Sequence, residues 1–165
     1  MGDGPAAELE STLREPEFQR LLQAAAHGPF PCRDRSILHL FWDFGLTLRQ
    51  IVALQPGQVD LLARRLQLPG GRWAPLPDET LRLLTAYVSL ERDPRCPRLF
   101  AARHGRPAGP AEVDRLFRRL RAHSGLPVDP LALRRAALAR LLQLDPRPVL
   151  ALWREAAAQA GSGGR

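Results

Sequence analysis

Ile37, Leu40, Phe41 and Phe44 recur at helical spacing between Arg33 and Phe44, with Arg35, His39 and Asp43 on the other side. This is the pattern of a helix that packs in a core. Gly45 follows where a C-terminal glycine is expected, and Thr47 can cap a second, short helix, Leu48 to Leu54, that stops before Pro56 and Gly57. Helical spacing returns from Glu8 to Ala26, with Leu13, Phe18, Leu21 and Leu22 inward and Pro16 near a break. It returns again after Pro77, where Leu81, Leu84, Val88 and Leu90 are carried, from Ala111 to His123, from Leu131 to Leu144, and from Val149 to Gln159. Only between Val59 and Leu76 does the pattern change. There Leu66 to Leu68 and Trp73 to Leu76 flank Pro69, Gly70 and Gly71, which reads as a β-hairpin. The expected class is mainly α with a small antiparallel β-hairpin or sheet. A chain of 165 residues, 45% apolar, is long enough for one core and short for two. The expectation is a single domain over residues 8–160, with a disordered start at 1–7 and a flexible tail at 161–165.

All 24 basic residues are arginine, for the chain contains no lysine, and its formal charge is +7. The charge is unevenly placed. Met1 to Pro31 holds five acids against two arginines, whereas Arg92 to Arg154 holds fourteen arginines against five acids. An anionic partner would bind the second half, because guanidinium suits phosphate and a concentrated positive field speeds encounter with nucleic acid. No apolar run is long enough to span a membrane and the acidic N-terminus has no signal-peptide core, so a cytoplasmic protein is expected. Cys32 and Cys96, with the scattered His27, His39, His104 and His123, lack metal-ligand spacing. No phosphate loop or nucleophile arrangement stands out, so neither a cofactor nor a small-molecule substrate is expected.

One residue breaks the apolar pattern. On a helical wheel Leu131, Leu133, Ala137, Leu138, Leu141, Leu142 and Leu144 form one arc, and Arg134 falls inside it, whereas Arg135 and Arg140 lie at its edges where they can snorkel. A guanidinium there must either meet a carboxylate, such as Asp43, Asp60 or Asp129, or face a cleft that admits an anion.

The run from Arg33 through Gly45, Leu46 and Thr47 to Leu54 resembles the opening of the tyrosine recombinase (phage integrase) catalytic domain. Further elements follow in that family's order: Val59 to Leu61 entering a hairpin, Pro75 to Pro77 leaving it, Pro97 to Phe100 before a Gly-Arg-Pro loop, Ser124 to Pro127, then Leu133 to Arg135. The resemblance runs from about Leu13 to Glu155. It implies two catalytic arginines, a hairpin lysine, a histidine three residues before the second arginine, a later histidine or tryptophan, and a tyrosine nucleophile that attacks a DNA phosphate. At those places this chain carries Thr47 for the first arginine, Gln50 for the helix glutamate, Leu131 for the histidine, and Arg134 for the second arginine. Arg135 replaces a further histidine, and the late position falls at Glu155 or Trp153. Arg72 is the only cation near the shortened hairpin turn, and arginine is a poor general acid. The sole tyrosine, Tyr87, lies mid-helix, far upstream of the nucleophile's place. The same comparison leaves about thirty residues before the Arg33 run, too few for the family's core-binding domain, and is expected to end before the nucleophile helix is complete.

The expectation is a catalytically inactive recombinase-like domain that binds duplex DNA through phosphates in an accessory or regulatory role. Its contacts are expected from Arg134, Arg135, Arg72, Arg118 and Arg119, the last three being as compatible with a solvated surface. A different class is a subunit that pairs with an active recombinase or with itself through Val149, Leu150, Leu152 and Trp153. Residual strand exchange is the third.

Overall fold

The computed structural model describes residues 13–145 together with Arg147 and Arg154. Six α-helices and a small sheet make up these residues: α1 (Glu15–Ala25), α2 (Pro31–Phe44), α3 (Leu48–Ala53), β1 (Val59–Asp60), β2 (Arg65–Gln67), β3 (Trp73–Pro75), α4 (Asp78–Ala86), α5 (Pro110–Ser124) and α6 (Pro130–Leu144). The helix expected over Val149 to Gln159, with its apolar strip, and Glu155 lie outside the described residues. No described helix is long and apolar enough to cross a membrane.

Helix α2 is the axis, with α1, α3, α4 and α6 all packed on it. That placement explains why its polar side is not a solvent face. His39 is buried, its Nδ1 lying 3.2 Å from Asp43 Oδ2 and 3.2 Å from the hydroxyl of Thr80 on α4, while the Thr80 hydroxyl donates to Asp43. A helix surrounded by neighbours must bury its polar residues too, and these three bond one another, although His39 Nε2 has no partner among the described residues.

The sheet has three antiparallel strands in the order β1-β2-β3, so Val59 and Asp60 pair with Leu66 and Arg65, and Leu66 pairs in turn with Ala74. Leu66, on the central strand, is fully buried. The hairpin turn bends through Gly70 and Gly71, both left-handed (φ 92° and 91°), and closes with Leu68 N–H donating to Arg72 O at 2.7 Å.

Of the residues expected inward on α4, Leu84 is buried and Leu81 packs partly buried against the core, whereas Val88 and Leu90 are exposed; Thr80, Leu83 and Tyr87 complete the inward face. The departure is confined to the C-terminal end, where Tyr87–Glu91 forms a π-turn. This turn delivers the Glu91 carboxylate to the first turn of α2, accepting from Cys32 N at 2.8 Å and Arg33 N at 2.9 Å. Phe30, the residue before α2, has no side-chain oxygen to cap the helix, so a distant carboxylate does.

The same first turn holds two buried charges. Arg33 is 1% exposed and Asp34 0%. Arg33 Nε donates to Asp34 Oδ1 at 2.9 Å and Nη1 to the carbonyl of Ala101 at 2.8 Å, with Glu112 Oε2 3.7 Å away. Arg119 of α5 completes the arrangement, Nη2 donating to Asp34 Oδ2 at 2.7 Å. Burial pushes the Asp34 carboxyl up while the two guanidiniums pull it down. Removing one member strands the others without water, at a cost of about 3–5 kcal/mol. Asp34→Ala is therefore expected to lower the unfolding free energy in urea by that order, and a loss below about 1 kcal/mol, the size of an exposed pair, would show that the network is not what closes this end.

Candidate phosphate-facing site at the end of α2

The C-terminal end of α2 is finished by Gly45 in the left-handed region (φ 63°), its N–H donating to Phe41 O at 2.9 Å. Glycine is required twice over here. A side chain would adopt a strained backbone, and its Cβ would lie 2.6 Å from Leu138 Cδ2 on α6. That close approach lets α6 reach the free carbonyls of α2. Arg134 Nε donates to Gly45 O at 3.0 Å, and Arg140 Nη2 to Trp42 O at 2.8 Å while its guanidinium lies 4.9 Å from the Trp42 ring centroid. Cations at a helix C-terminus complement both the unsatisfied carbonyls and the dipole. Arg140, expected to snorkel, is thus tied to the core. The signal for it was Gly45: a helix stop leaves carbonyls that need donors.

Arg134 is half-buried, and burial draws its pKa below the ordinary arginine value. The three carboxylates that sequence alone offered as partners are engaged elsewhere. Asp43 faces His39, Thr80 and, at 4.0 Å, Arg140; Asp60 lies 3.5 Å from Arg65; Asp129 accepts from Ala132 N at 2.7 Å as the cap of α6. Among the described residues no carboxylate meets Arg134, and its two terminal nitrogens have no protein partner. Arg134 thus meets a backbone carbonyl in place of any of those three carboxylates.

Two residues away, Thr47 and Gln50 close on each other: Gln50 N donates to Thr47 Oγ1 at 3.1 Å, and Thr47 N to Gln50 Oε1 at 2.9 Å. This capping box starts α3 and occupies both side chains. Leu131 is 52% exposed in the first turn of α6 and offers neither charge nor proton. With the exposed Leu144 it also shows that the leucine arc of α6 is only partly covered.

The other expected contacts are dispersed. Arg135 and Arg118 are exposed, on α6 and α5, and Arg72 is exposed on the hairpin turn. Arg119 is bound to Asp34 near the opposite end of α2, eleven residues and therefore about 16 Å of helix from Gly45. Arg119 and Arg134 do not share one site. Cys32 and Cys96 are free thiols, and among the described residues no three histidine, cysteine or carboxylate side chains converge as a metal ligand set.

Tyr87 is buried against Phe100, its hydroxyl donating to Leu99 O at 2.9 Å and accepting from Ala101 N at 2.8 Å. Burial pushes its pKa up to about 12, despite the Ala101 N–H and the nearby Arg33 and Arg92. It is an anchor of the core and no nucleophile.

A small antiparallel sheet among packed helices, with an arginine and a glycine turn facing each other across α2 and α6, defines a tyrosine recombinase catalytic-domain fold. The structure aligns with the XerA recombinase at a TM-score of 0.69 and 22% identity, covering 81% of this chain and 50% of that one. It aligns with the Tn1549 transposon integrase in complex with circular intermediate DNA at 0.64 and 15%, covering 82% and 53%. With lambda integrase bound to DNA the values are 0.57 and 20%, covering 82% and 52%. The Phage integrase family pattern matches residues 11–150, and the chain belongs to that family. Tyrosine recombinase XerC of Chlamydia pneumoniae is 27% identical over 130 residues, 73% of this chain, and XerC of Azotobacter vinelandii is 32% identical over 113 residues, 64% of this chain. The chain spans 38% of the length of each XerC.

The lone tyrosine allows a direct check. In a spectrophotometric titration of the folded protein the phenolate is expected to appear with a midpoint near 12 instead of ~10. Because the folded pKa is raised, the stabilising contribution is whole below pH ~10 and is lost as pH rises through 12, so alkaline unfolding should begin inside that window. A midpoint at the ordinary tyrosine value in the folded state would place the hydroxyl in water.

Proposed function

We propose that this domain binds duplex DNA through backbone phosphates at the end of α2 and holds it without cutting it, in an accessory or regulatory role. The observation that carries this reading is Arg134: half-buried, fixed through Nε to Gly45 O, and with terminal nitrogens that meet no carboxylate among the described residues. Nε bonding sets the plane of the guanidinium, and a preset fork suits a phosphate's two oxygens. Arg135, the next residue, is exposed, and the dispersed Arg118, Arg72 and Asp34-bound Arg119 add to the positive field of the domain without sharing the Arg134 site. Family membership supports the same partner, since the Tn1549 and lambda integrases are solved with DNA.

The inactive reading rests on the side chains at the family's catalytic places. Transition-state charge on a phosphate needs several cations and a proton donor. Here Thr47 is closed in a capping box, Leu131 has no proton to give, and Arg72 stands where a lysine is expected, arginine being a poor general acid. A DNA-acting protein of this kind would work in the cytoplasm, on the nucleoid in a bacterium.

A fluorescence-anisotropy titration with a short duplex is expected to show binding at low salt that weakens steeply as salt rises. Arg134→Ala should lower affinity roughly tenfold and flatten the salt slope by about one unit. Arg135→Ala, which touches no carbonyl of α2, should act in the same direction with no change in thermal stability. Absence of binding at low salt sinks the proposal. A nicked suicide substrate is expected to yield no covalent adduct, and an adduct would overturn the inactive reading while leaving DNA binding intact. The exposed Leu144, at the end of α6 where the chain runs on toward Val149, favours a second reading, in which that strip pairs with an active recombinase or a second copy. Sedimentation showing only monomer, alone and with a recombinase added, would count against it.

A further inference from the structure

At the opposite end of α2 from Arg134, the loop before the helix, the loop at residues 102–106 and one face of α5 enclose a cleft of about 430 Å³. Its size falls among small-molecule sites, which run from roughly 300 to 1,000 Å³. One wall is apolar, made by Pro29 and Phe30. The rest carries Arg103, Arg106, Arg115, Arg119 and His104 against a single carboxylate, Glu112.

The arginines differ in freedom. Arg119 is fixed by Asp34, and Arg115 is paired with Glu112. Arg103 and Arg106 are exposed and have no side-chain partner among the described residues. They flank a tight turn in which His104 (φ 61°) and Gly105 (φ 72°) are both left-handed, and Ala102 N–H donates to Arg106 O across it. Two free guanidiniums therefore stand at the mouth of a recess whose floor is already organised by ion pairs. Phe30 lines the same recess, with the buried Arg33 guanidinium 4.4 Å from its ring centroid, a contact that favours this orientation of the ring.

An apolar aromatic wall beside a set of guanidiniums matches a ligand that is flat at one end and multiply anionic at the other. We infer that the cleft binds a nucleotide, with the base against Phe30 and Pro29 and the phosphates on Arg103, Arg106 and Arg115. This departs from the sequence-based expectation that the chain takes no small molecule. A duplex backbone fits less well, because Arg115 and Arg119 sit within the recess and a stiff convex helix would have to enter it. The cleft shares Arg119 with the wider positive surface but lies apart from Arg134, since α2 from Phe30 to Gly45 spans about 20 Å.

The probe is a fluorescent ADP analogue labelled on the ribose, titrated with the purified chain and then displaced by unlabelled ADP, pyrophosphate or adenosine. Saturable binding is expected, with ADP displacing the probe at lower concentration than either fragment, because each fragment keeps only half of the contacts. The double variant Arg103→Ala/Arg106→Ala should weaken ADP at least about tenfold, two charge-assisted contacts being lost. Arg82→Ala, which removes an equal kind of charge from outside the lining, should leave ADP affinity unchanged. All three side chains are exposed, so thermal melts should match the unsubstituted chain. Failure of ADP to displace the probe, or an equal loss with Arg82→Ala, overturns the inference. So does a double variant that keeps its ADP affinity but loses short-duplex affinity as Arg134→Ala does, for the cleft would then belong to the duplex surface.

Discussion

Burying Arg33 beside Asp34 in the first turn of α2 commits the structure around it, because neither charge tolerates the interior without the other and without its further partners. Satisfying them brings four parts of the chain to one point: α2 itself, the carbonyl of Ala101, Arg119 and Glu112 from α5, and Glu91 from the π-turn after α4. Hydrophobic contact alone would accept many arrangements of these elements. A guanidinium with fixed donor directions accepts few. The network thus acts less as a source of net stability than as a specification of which elements meet, and it fixes the axis along which both ends of α2 are used.

The far end of that axis shows how one arginine can serve packing and binding together. Arg134 reaches Gly45 O through Nε, an atom at the neck of the guanidinium, which leaves the fork at its tip for another oxygen pair. A lysine placed there would offer a single ammonium with no planar fork left over for a bidentate contact. Close by, Thr47 and Gln50 bond reciprocally across the first turn of α3 and so support a helix start. The bond of Arg134 to the end of α2 has a structural use of its own, whatever its tip meets.

The fold was legible wherever a single helix determined its own buried face. The run from Ile37 to Phe44, the stop at Gly45, the cap at Thr47 and the basic helix with Val113, Leu116, Phe117 and Leu120 all lie as their spacing indicates. Spacing failed where the partner decided. At the π-turn Tyr87–Glu91 the expected Val88 and Leu90 face outward, and no periodicity encodes the demand of α2 for a capping carboxylate. Arg33 and Asp34 read as ordinary charges at a helix start because their partners lie 68 and 85 residues away. Arg134 was legible as an anomaly, but its outcome depended on where Asp43, Asp60 and Asp129 went, and each was taken by a local or tertiary donor that the sequence did not rank.

The excess of arginine also needs dividing. Much of the basic half is occupied in holding backbone: Arg92 donates to the carbonyls of Cys96, Arg98 and Leu99, Arg98 to Ala53, Arg121 to Val128, and Arg140 to Trp42. In a chain without lysine, arginine is the only long cationic donor for such work. A guanidinium bonded to a neutral carbonyl keeps its charge, so these residues still add to the field that draws in an anion. What they lose is directional contact. Net charge therefore overstates the phosphates this surface can grip and states fairly how strongly it can attract them, and Arg134, Arg135, Arg118, Arg103 and Arg106 are where the first quantity has to be sought.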